Sequence, residues 1–527
     1  MSKKVLISEK VNQKLINILE ENSLHVDYKP DLKKDELLNI IHNYQILIVR
    51  SATQADTEII SHGKNLELIG RAGTGVDNVD VDAATRKGII VMNTPGGNTI
   101  SAAEHTFSMM LSLCRKIPQA DRSMKEKKWD RKSFSGTELL GKNLGVIGLG
   151  KIGREVAIRA KAFGMNILGY DPLLAEDVAI ELGIKLLPLE SLIKESDIIT
   201  LHVPLTDETK YILSEKSLAQ CKDGVKLVNC ARGGLIDESA LLNALNSGKV
   251  SGAALDVFEN EPPQNFDLIN HPKTVCTPHL GASTEEAQEK VAVQLAQQIV
   301  DWNSGKEVIG NVNAASIKML LDEKIRPFAE LAERIGTFHS QLIPANITKI
   351  ILTTAGPYLA KNSELLKVAL LKGLLKNLVV EPVNFVNASA IAEEMGIHIE
   401  EIKSQPDGIY SNLFSAEIKS KEDGKTISGT VLINNDYRIV SFDGYQIEFK
   451  PEGNILIYYN IDKPGVLSKV SPLLAKSNIN IAGLSLSRSG KGKKAVTIIN
   501  IDEAADKNIL DEMKKLEEVE DVYFVGF

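Results

Sequence analysis

The 527-residue chain lacks the cysteine pattern that disulfide frameworks and zinc sites depend on. It has four cysteines, and they are spread along the sequence without any C-x-x-C pair: Cys114, Cys221, Cys230 and Cys276. Small disulfide scaffolds are dense in cysteine, and structural zinc sites use closely spaced thiols. We therefore expect reduced thiols, no bound metal and a cytoplasmic location.

Long apolar runs and an excess of positive charge are missing as well. No run reaches the ~18 apolar residues that a membrane span needs, although 43% of the residues are hydrophobic. The first ten residues, MSKKVLISEK, enter a strand-like run without the apolar core of a secretory leader. A formal net charge of −8 argues against nucleic acid as the main partner. The length predicts about three or four domains, with neither a membrane nor a nucleic-acid partner.

The clearest local pattern is the stretch GVIGLGKIGREVAIRAKAFGMNILGYD at 145–171. Gly148, Gly150 and Gly153 have G-x-G-x-x-G spacing between a strand-like run and a helical pattern, and Asp171 ends the next strand-like run. In a dinucleotide-binding unit such glycines permit a tight turn, close approach of the pyrophosphate and close helix packing. The acid accepts hydrogen bonds from a ribose and repels a 2′-phosphate. The pattern predicts NAD binding, and the alternative is a chance glycine-rich turn.

Residues 1–97 alternate short apolar runs with helical patterns, which is typical of a parallel sheet covered by helices. Arg50 and Arg71 end two of these runs. Because open α/β sheets bind ligands at the carboxyl ends of their strands, the two arginines predict an anion site. The alternative is that both only cap strands at the surface.

A helix and a charged segment are predicted next. The capping box Ser101-x-x-Glu104 predicts the start of a helix that continues through Arg115 into a second α/β unit. Residues 121–142 are polar and basic around Trp129, which favours a solvated loop. Alternatively, this positive charge reaches an anionic ligand, even across a subunit boundary.

Arg232, Glu261 and His279 each follow a strand-like run in the second unit. An arginine offers a planar fork for a substrate carboxylate. A histidine can take the hydroxyl proton near neutral pH, and a carboxylate behind it fixes the tautomer and stabilises the imidazolium. The three residues together predict oxidation of a hydroxy acid, and the alternative for His279 is a surface position without function.

The segments GLGKIGREVA, NCARGGLIDESAL, ALDVFENEPP and TPHLGASTEEAQ resemble the D-isomer-specific 2-hydroxyacid dehydrogenase family. The segment RAGTGVDNVDVDAATRKGIIVMNTPGGNTISAAEH and the C-terminal extension are similar to its long-chain members, which oxidise 3-phosphoglycerate. The resemblance implies that Arg232 binds the carboxylate, that His279 transfers the proton and that Glu261 is its partner. It implies substrate contacts from Arg50, Arg71 and Asn98, and from Arg131 of a neighbouring subunit.

The resemblance also implies a set of cofactor-binding residues. Val203 stands where many relatives have threonine, so only its backbone is expected to be used. The implied NAD contacts are Thr74, Gly148, Gly150, Lys151, Ile152, Gly153, Asp171, Val203, Cys230, Ala231, Arg232, Asp256, His279, Leu280, Gly281 and Ala282.

Residues 454–527 read strand, helix, strand, strand, helix, strand, which is the ferredoxin-like order. They resemble an ACT regulatory module, in which Asp462 and Asn480 would bind the amino group and carboxylate of an amino acid. The alternative for both residues is a cap or a turn.

The implied fold is α/β, with two Rossmann-like doubly wound domains, an α/β intervening domain and the ACT domain. The expected bounds are 1–98 plus 290–311 for a discontinuous, flavodoxin-like substrate domain, 99–289 for the NAD domain, 312–452 for the intervening domain and 453–527 for the ACT domain.

The resemblance implies NAD-dependent oxidation of 3-phosphoglycerate to 3-phosphohydroxypyruvate, the entry to serine synthesis. It implies a homotetramer with L-serine as the candidate effector. One alternative is another 2-hydroxy acid as substrate, and a second is a non-catalytic NADH sensor. A third makes the C-terminal third a partner-binding module alone.

Overall fold

Four β-sheets and their covering helices make up the structure. It is a computed structural model that describes residues 2–264, 266–306, 310–314, 322–343, 347–379, 382–406, 408–420 and 424–527. Within these ranges every helix is too short or too polar for a bilayer crossing. The first two sheets are parallel, the third is mixed and the fourth is antiparallel, so the predicted α/β fold class is confirmed.

The first sheet has five parallel strands in the order β2-β1-β3-β4-β5. The strands are β1 (Lys4–Ile7), β2 (His25–Tyr28), β3 (Ile46–Val49), β4 (Leu68–Arg71) and β5 (Ile90–Met92). The covering helices are α1 (Gln13–Glu21), α2 (Lys34–Ile40), α3 (Thr57–His62) and α4 (Val81–Arg86). The strand order reverses between β1 and β3, the kind of point at which doubly wound sheets bind ligands.

The second sheet has seven parallel strands in the order β12-β11-β10-β9-β6-β7-β8. The strands are β6 (Asn143–Ile147), β7 (Asn166–Tyr170), β8 (Lys185–Leu186), β9 (Ile198–Leu201), β10 (Val225–Asn229), β11 (Val250–Leu255) and β12 (Thr274–Cys276). The helices are α7 (Lys151–Ala162), α8 (Glu176–Leu182), α9 (Leu189–Glu195), α10 (Glu215–Gln220), α11 (Glu238–Ser247) and α12 (Asp267–Asn270). The order reverses between β6 and β9, which places the glycine-rich turn at the switch point of a dinucleotide-binding sheet.

Two long helices connect the parallel sheets, namely α5 (Thr99–Arg115) and α13 (Glu285–Asn303). Leu295 and Ile299 of α13 pack in the core of the first sheet, whereas Phe107 and Met110 of α5 pack in the core of the second. The chain thus leaves the first sheet, builds the second and returns. Of the return segment predicted at 290–311, residues 307–309 lie outside the described residues.

The structure corrects two local predictions. Helix α5 begins at Thr99 after Asn98, so the predicted capping box at Ser101 is wrong. The Ser101 hydroxyl instead donates to the carbonyl of Gly281 at 2.8 Å, because a tertiary contact outweighs the local one. Residues 117–125 form helix α6 (Ile117–Lys125), so the charged segment predicted as a loop begins within a helix.

The third sheet has the order β14-β13-β15-β16-β17-β18, and the fourth has the order β20-β21-β19-β22. The strands are β13 (Ile347–Ala355), β14 (His398–Ser404), β15 (Leu413–Ser420), β16 (Gly424–Val431), β17 (Tyr437–Phe442), β18 (Tyr445–Phe449), β19 (Asn454–Ile461), β20 (Ile481–Arg488), β21 (Lys494–Ile501) and β22 (Val519–Gly526). The helices are α14 (Arg326–Leu342), α15 (Pro357–Lys361), α16 (Ser363–Leu375), α17 (Ala388–Glu394), α18 (Val466–Lys476) and α19 (Lys507–Lys514). The β-α-β-β-α-β order of the last 74 residues therefore stands as predicted.

The third and fourth sheets share one apolar core. Ile457 of β19 and Val525 of β22 belong to the same buried cluster as Phe338 of α14. Gln341 of α14 also exchanges two hydrogen bonds with the backbone of Gly526, at 2.9 and 3.0 Å. These contacts join the two C-terminal sheets along one face of the fourth sheet.

Candidate active site

His279 and Glu261 form a hydrogen-bonded pair at the carboxyl ends of two neighbouring strands. Nδ1 of His279 lies 2.6 Å from Oε2 of Glu261. His279 follows β12 and Glu261 follows β11, and these strands pair in parallel, which brings together side chains that are 18 residues apart. Oε1 of Glu261 also accepts the backbone N–H of Phe258 at 3.1 Å. Both oxygens of the Glu261 carboxylate thus have hydrogen-bond partners. The carboxylate favours the tautomer of His279 with the proton on Nδ1.

The Glu261 carboxylate raises the pKa of His279 above its ordinary value, mainly through this hydrogen bond and against the opposing effect of burial. We expect Glu261→Gln to move the rising limb of the oxidation rate to lower pH. His279 must be neutral to accept a proton, so the rate rises as pH passes through its pKa, and that pKa falls when the carboxylate is lost. The measurement is kcat against pH. Glu259→Gln, an exposed neighbour that accepts from the backbone of Glu238, is the control, and an unmoved limb in Glu261→Gln would contradict the assignment.

Arg232 reaches from the second sheet to the turn that follows β4. Its Nε lies 3.0 Å from Oδ2 of Asp77, and its Nη1 donates to the carbonyl of Ala231 at 2.7 Å. The guanidinium lies against Gly75, where an added Cβ would stand 2.1 Å from Nη2. The predicted carboxylate-binding arginine thus lies in the cleft between the two parallel sheets. Asp77 is absent from the residues predicted from the sequence, because it differs from other surface acids only in this contact.

We expect Gly75→Ala to displace the Arg232 guanidinium while the fold remains intact. The new methyl group would also stand 2.7 Å from Oδ2 of Asp77, and both obstructing groups are ends of mobile side chains, so they move rather than the backbone. The expected result is a rise of about tenfold or more in KM for the hydroxy acid, from the loss of one charge-assisted interaction, with an unchanged melting temperature. Steady-state kinetics and calorimetry measure the two. In the control Gly483→Ala the new methyl group makes only ordinary contacts, at 3.7 Å. An unchanged KM in Gly75→Ala would argue against this placement of Arg232.

Arg71 is a largely buried cation beside other cations. Its Nε is buried and has no hydrogen-bond partner among the described residues. Burial and the charges of Arg232 and Arg50 lower the pKa of Arg71. A buried, incompletely paired guanidinium is costly unless an anion joins it. The structure therefore brings the three arginines into one electrostatic group at the carboxyl ends of β3, β4 and β10.

Glu9 organises the loop that carries Arg50. Its carboxylate accepts the backbone N–H groups of Arg50, Ala52 and Thr53 at 2.8, 3.0 and 2.8 Å. Nη1 of Arg50 donates to the carbonyl of Lys10 at 3.0 Å. Glu9 is absent from the residues predicted from the sequence, and its position two residues after β1, at the strand-order reversal, is the feature that could have identified it.

Thr74 and Asn98 contact each other, but Arg131 is placed elsewhere. Oγ1 of Thr74 donates to Oδ1 of Asn98 at 2.7 Å, which joins the turn after β4 to the start of α5. Arg131 is exposed after α6, and among the described residues no side-chain hydrogen bond or ion pair joins it to the arginine group. Its predicted contribution to a neighbouring subunit stays a prediction.

The three glycines of the glycine-rich turn have distinct structural roles. Gly148 has φ +93°, and an added Cβ would lie 2.6 Å from the carbonyl oxygen of His202. A Cβ on Gly153 would lie 2.0 Å from the carbonyl oxygen of Gly148, so a side chain there would separate α7 from the turn. A Cβ on Gly150, at the start of α7, would have nothing within 4 Å. The free space at this helix N-terminus fits the pyrophosphate of a dinucleotide.

Asp171 follows β7 at the edge of this space. Its Oδ2 accepts the N–H of Leu149 at 2.8 Å and its Oδ1 accepts the N–H of Leu173 at 2.8 Å. Each carboxylate oxygen can accept a further hydrogen bond, as a ribose hydroxyl would require. The acceptor oxygens of Asp171 and the free space beside Gly150 therefore fit NAD.

The remaining predicted cofactor residues follow strands of the second sheet or begin α7. Nζ of Lys151 lies 2.9 Å from where a Cβ on Gly96 would be, and Val203 packs against Gly148. Burial raises the pKa of the Cys230 thiol to about 12. Ile152, the second residue of α7, is partly buried against the core of the second sheet. Four residues form or adjoin the turns after β10 and β12: Ala231, Leu280, Gly281 and Ala282.

Asp256 is fully buried beneath the turn that carries His279. Its carboxylate accepts the N–H groups of Leu280 and Gly281 at 2.7 and 2.9 Å. Its backbone carbonyl accepts the N–H of His279 at 2.8 Å. The residue predicted to contact the cofactor thus holds the turn that carries His279.

In the fourth sheet, Asp462 and Asn480 have local partners. Oδ2 of Asp462 accepts from Nη1 of Arg488 at 2.8 Å and from the N–H of Gly492 at 3.1 Å. Nδ2 of Asn480 donates to Oδ2 of Asp502 at 2.7 Å. Both residues support turns at the ends of β19 and β20, and their effector-binding role stays a prediction.

Three family models match consecutive parts of the chain. Residues 107–281 match the D-isomer specific 2-hydroxyacid dehydrogenase, NAD binding domain. Residues 324–443 match the D-3-phosphoglycerate dehydrogenase intervening domain, and residues 454–518 match the ACT domain. The prediction of an NAD-dependent dehydrogenase with these C-terminal modules is confirmed.

Curated proteins and solved structures agree with these matches. The chain is 43% identical over 525 residues to a D-3-phosphoglycerate dehydrogenase of Archaeoglobus fulgidus, with 99% of each chain covered. It is 41% identical over 524 residues to that of Methanocaldococcus jannaschii, again with 99% of each covered. The structure of D-lactate dehydrogenase from Aquifex aeolicus, complexed with NAD and lactic acid, covers 57% of this chain and 96% of its own at 31% identity and a TM-score of 0.52. Together with the His279–Glu261 pair and the glycine-rich turn, full-length similarity at this level shows that the chain belongs to the D-3-phosphoglycerate dehydrogenase family.

Proposed function

We propose that this enzyme oxidises 3-phosphoglycerate to 3-phosphohydroxypyruvate with NAD, as the first step of the phosphorylated route to serine. The observation that carries the proposal is the largely buried Arg71 beside Arg232 and Arg50, since the charge of Arg232 also acts on His279. A substrate with a carboxylate at one end and a phosphate at the other satisfies more of this positive charge than a plain hydroxy acid. Two relatives that the chain matches over 99% of their lengths carry that enzyme name.

In the proposed mechanism the arginines bind and the histidine transfers the proton. Arg232 anchors the substrate carboxylate and polarises the neighbouring oxygen. Arg71 and Arg50 hold the phosphate. His279 takes the hydroxyl proton, and Glu261 stabilises the resulting imidazolium. NAD, when bound, supplies the hydride acceptor, and the same residues serve the reverse reduction with protonated His279.

We infer the assembly and regulation from the same resemblance. The proposed domains are 1–98 plus 290–311 for substrate, 99–289 for NAD, 312–452 for the intervening domain and 453–527 for the ACT domain. The working unit is proposed to be a cytoplasmic homotetramer in which Arg131 completes a neighbouring site. L-serine is the proposed effector at Asp462 and Asn480. The shared core of the third and fourth sheets supports joint movement of the two C-terminal domains.

The test is NADH oxidation with 3-phosphohydroxypyruvate, with and without L-serine. Turnover that serine slows supports both the reaction and the effector. Turnover indifferent to serine supports the reaction and contradicts the effector assignment. Absence of turnover with this substrate, together with turnover of an unphosphorylated 2-keto acid, would contradict the phosphate assignment.

A further inference from the structure

A buried hydrogen-bond network lies behind the catalytic turn and begins at His105 on α5. Nε2 of His105 lies 3.1 Å from Oδ1 of Asp256 and 3.1 Å from Oγ1 of Thr277. Thr277 in turn donates to Oδ1 of Asp256 at 2.5 Å. The side chain of Asp256 has no exposed surface and that of His105 is 20% exposed. His105 is not among the residues expected to bind substrate or cofactor.

The network keeps Asp256 ionised in a buried place. Burial alone would raise the pKa of Asp256, but the hydrogen bonds from His105, Thr277 and the N–H of Leu280 lower the pKa below its ordinary value. An ionised Asp256 accepts only, so Nε2 of His105 carries a proton and donates. His105 is therefore one of the donors that make a buried carboxylate tolerable at this position.

Asp256 uses that carboxylate to hold the turn of His279. His279 has φ +56°, a left-handed backbone that a residue other than glycine keeps only when its surroundings enforce it. The enforcing contacts are the carboxylate on the N–H groups of Leu280 and Gly281. One helical turn before His105, Ser101 donates to the carbonyl of Gly281 at 2.8 Å. Helix α5 thus contacts the turn directly through Ser101 and indirectly through His105 and Asp256.

His105, Cys230 and Asp256 also place three potential metal-ligand atoms within 4.8 Å of one another. Two observations favour hydrogen bonding over a metal here. Burial raises the pKa of the Cys230 thiol to about 12, which opposes the thiolate that a metal needs. Oδ1 of Asp256 already accepts from Leu280 and Thr277 and lies against His105.

We propose that His105 is a positioning residue for the proposed reaction: through Asp256 it fixes the turn that presents His279 to the substrate. His105 acts on His279 through Asp256 and through Thr277, which itself donates to Asp256, so it should govern turnover more than binding. The inference rests on the proposed function where turnover is the readout, and it is independent of that function where the mobility of the turn is the readout.

The experiment compares His105→Leu, which cannot donate, with His105→Gln, which can. We expect His105→Leu to lower kcat about tenfold with KM values within about twofold of the wild type, and His105→Gln to restore kcat. Ser108→Ala, an exposed change on the same helix, should behave as wild type. Thr277→Val, which removes the hydroxyl between His105 and Asp256, is the second variant if His105→Leu does not fold, and it should lower kcat in the same way.

Hydrogen exchange in the cofactor-free, full-length protein is the second readout. We expect a peptide covering 277–284 to exchange faster in His105→Leu than in the wild type, and at the wild-type rate in His105→Gln. Unchanged kcat and unchanged exchange in His105→Leu would overturn the inference, as would an equal loss in the leucine and glutamine variants. A wild-type enzyme without turnover would contradict the proposed function instead, while the exchange measurement would still decide the role of His105.

Discussion

His279→Ala is expected to lower kcat by roughly 10²–10⁴, the usual contribution of a positioned general acid or base. Nδ1 of His279 lies 2.6 Å from Oε2 of Glu261, and the side chain follows the carboxyl end of β12, the edge at which doubly wound sheets bind ligands. KM should change little because Arg232 and Arg71 remain to bind the substrate. The measurement is steady-state NADH oxidation at saturating keto acid.

The control for this prediction is His271→Ala. His271 lies in the same part of the chain, and its Nδ1 accepts the N–H of Lys273 in a surface turn, so its loss should leave kcat near the wild-type value. NADH binding by His279→Ala, followed by fluorescence, shows whether the fold survives. A variant that binds NADH and retains kcat within about twofold would remove His279 from the mechanism.

Arg71→Ala is expected to lower kcat/KM for 3-phosphohydroxypyruvate far more than for an unphosphorylated 2-keto acid. Hydrogen bonds to charged groups contribute about 1.5–3 kcal/mol each. Loss of the Arg71 guanidinium should therefore lower kcat/KM for the phosphorylated substrate roughly 100-fold. The unphosphorylated analogue should lose about threefold or less. Folding should suffer little from the change of charge, because Arg71 is buried beside two other cations.

Two further variants sharpen this result. Arg71→Lys retains the charge but loses the planar fork, so its kcat/KM should fall between those of the wild type and Arg71→Ala. Arg86→Ala removes an exposed arginine whose Nε lies 3.9 Å from Oε1 of Glu394, and it should not discriminate between the substrates. Equal losses for both substrates in Arg71→Ala would contradict the phosphate assignment and would favour an unphosphorylated 2-hydroxy acid as the substrate.

Short-range sequence patterns determined the architecture and the cofactor turn. A side chain on Gly148 or Gly153 would meet a backbone oxygen, and Gly150 borders free space. Because these requirements are local, the spacing of the three glycines in the sequence is enough to predict the turn. The alternation of apolar runs and helical patterns predicted both parallel sheets because each strand must bury both faces. Arg232, Glu261 and His279 could be selected because each follows a strand, and parallel strands end at one edge.

The contacts behind the site were decided by the tertiary structure. Ser101 has the spacing of a helix cap, yet its hydroxyl binds the carbonyl of Gly281, 180 residues away. Asp77, Glu9 and His105 look like ordinary surface residues in sequence. Each acquires its role from a partner on another element: Asp77 from Arg232, Glu9 from the loop of Arg50, and His105 from Asp256. For His105 the partner is fully buried, where an unpaired charge is costly. The sequence by itself determined which elements form and where their polar ends meet. Only the tertiary structure determined how His279 is held, because the contacts of Asp256 and of α5 with its turn join residues that are far apart in the chain.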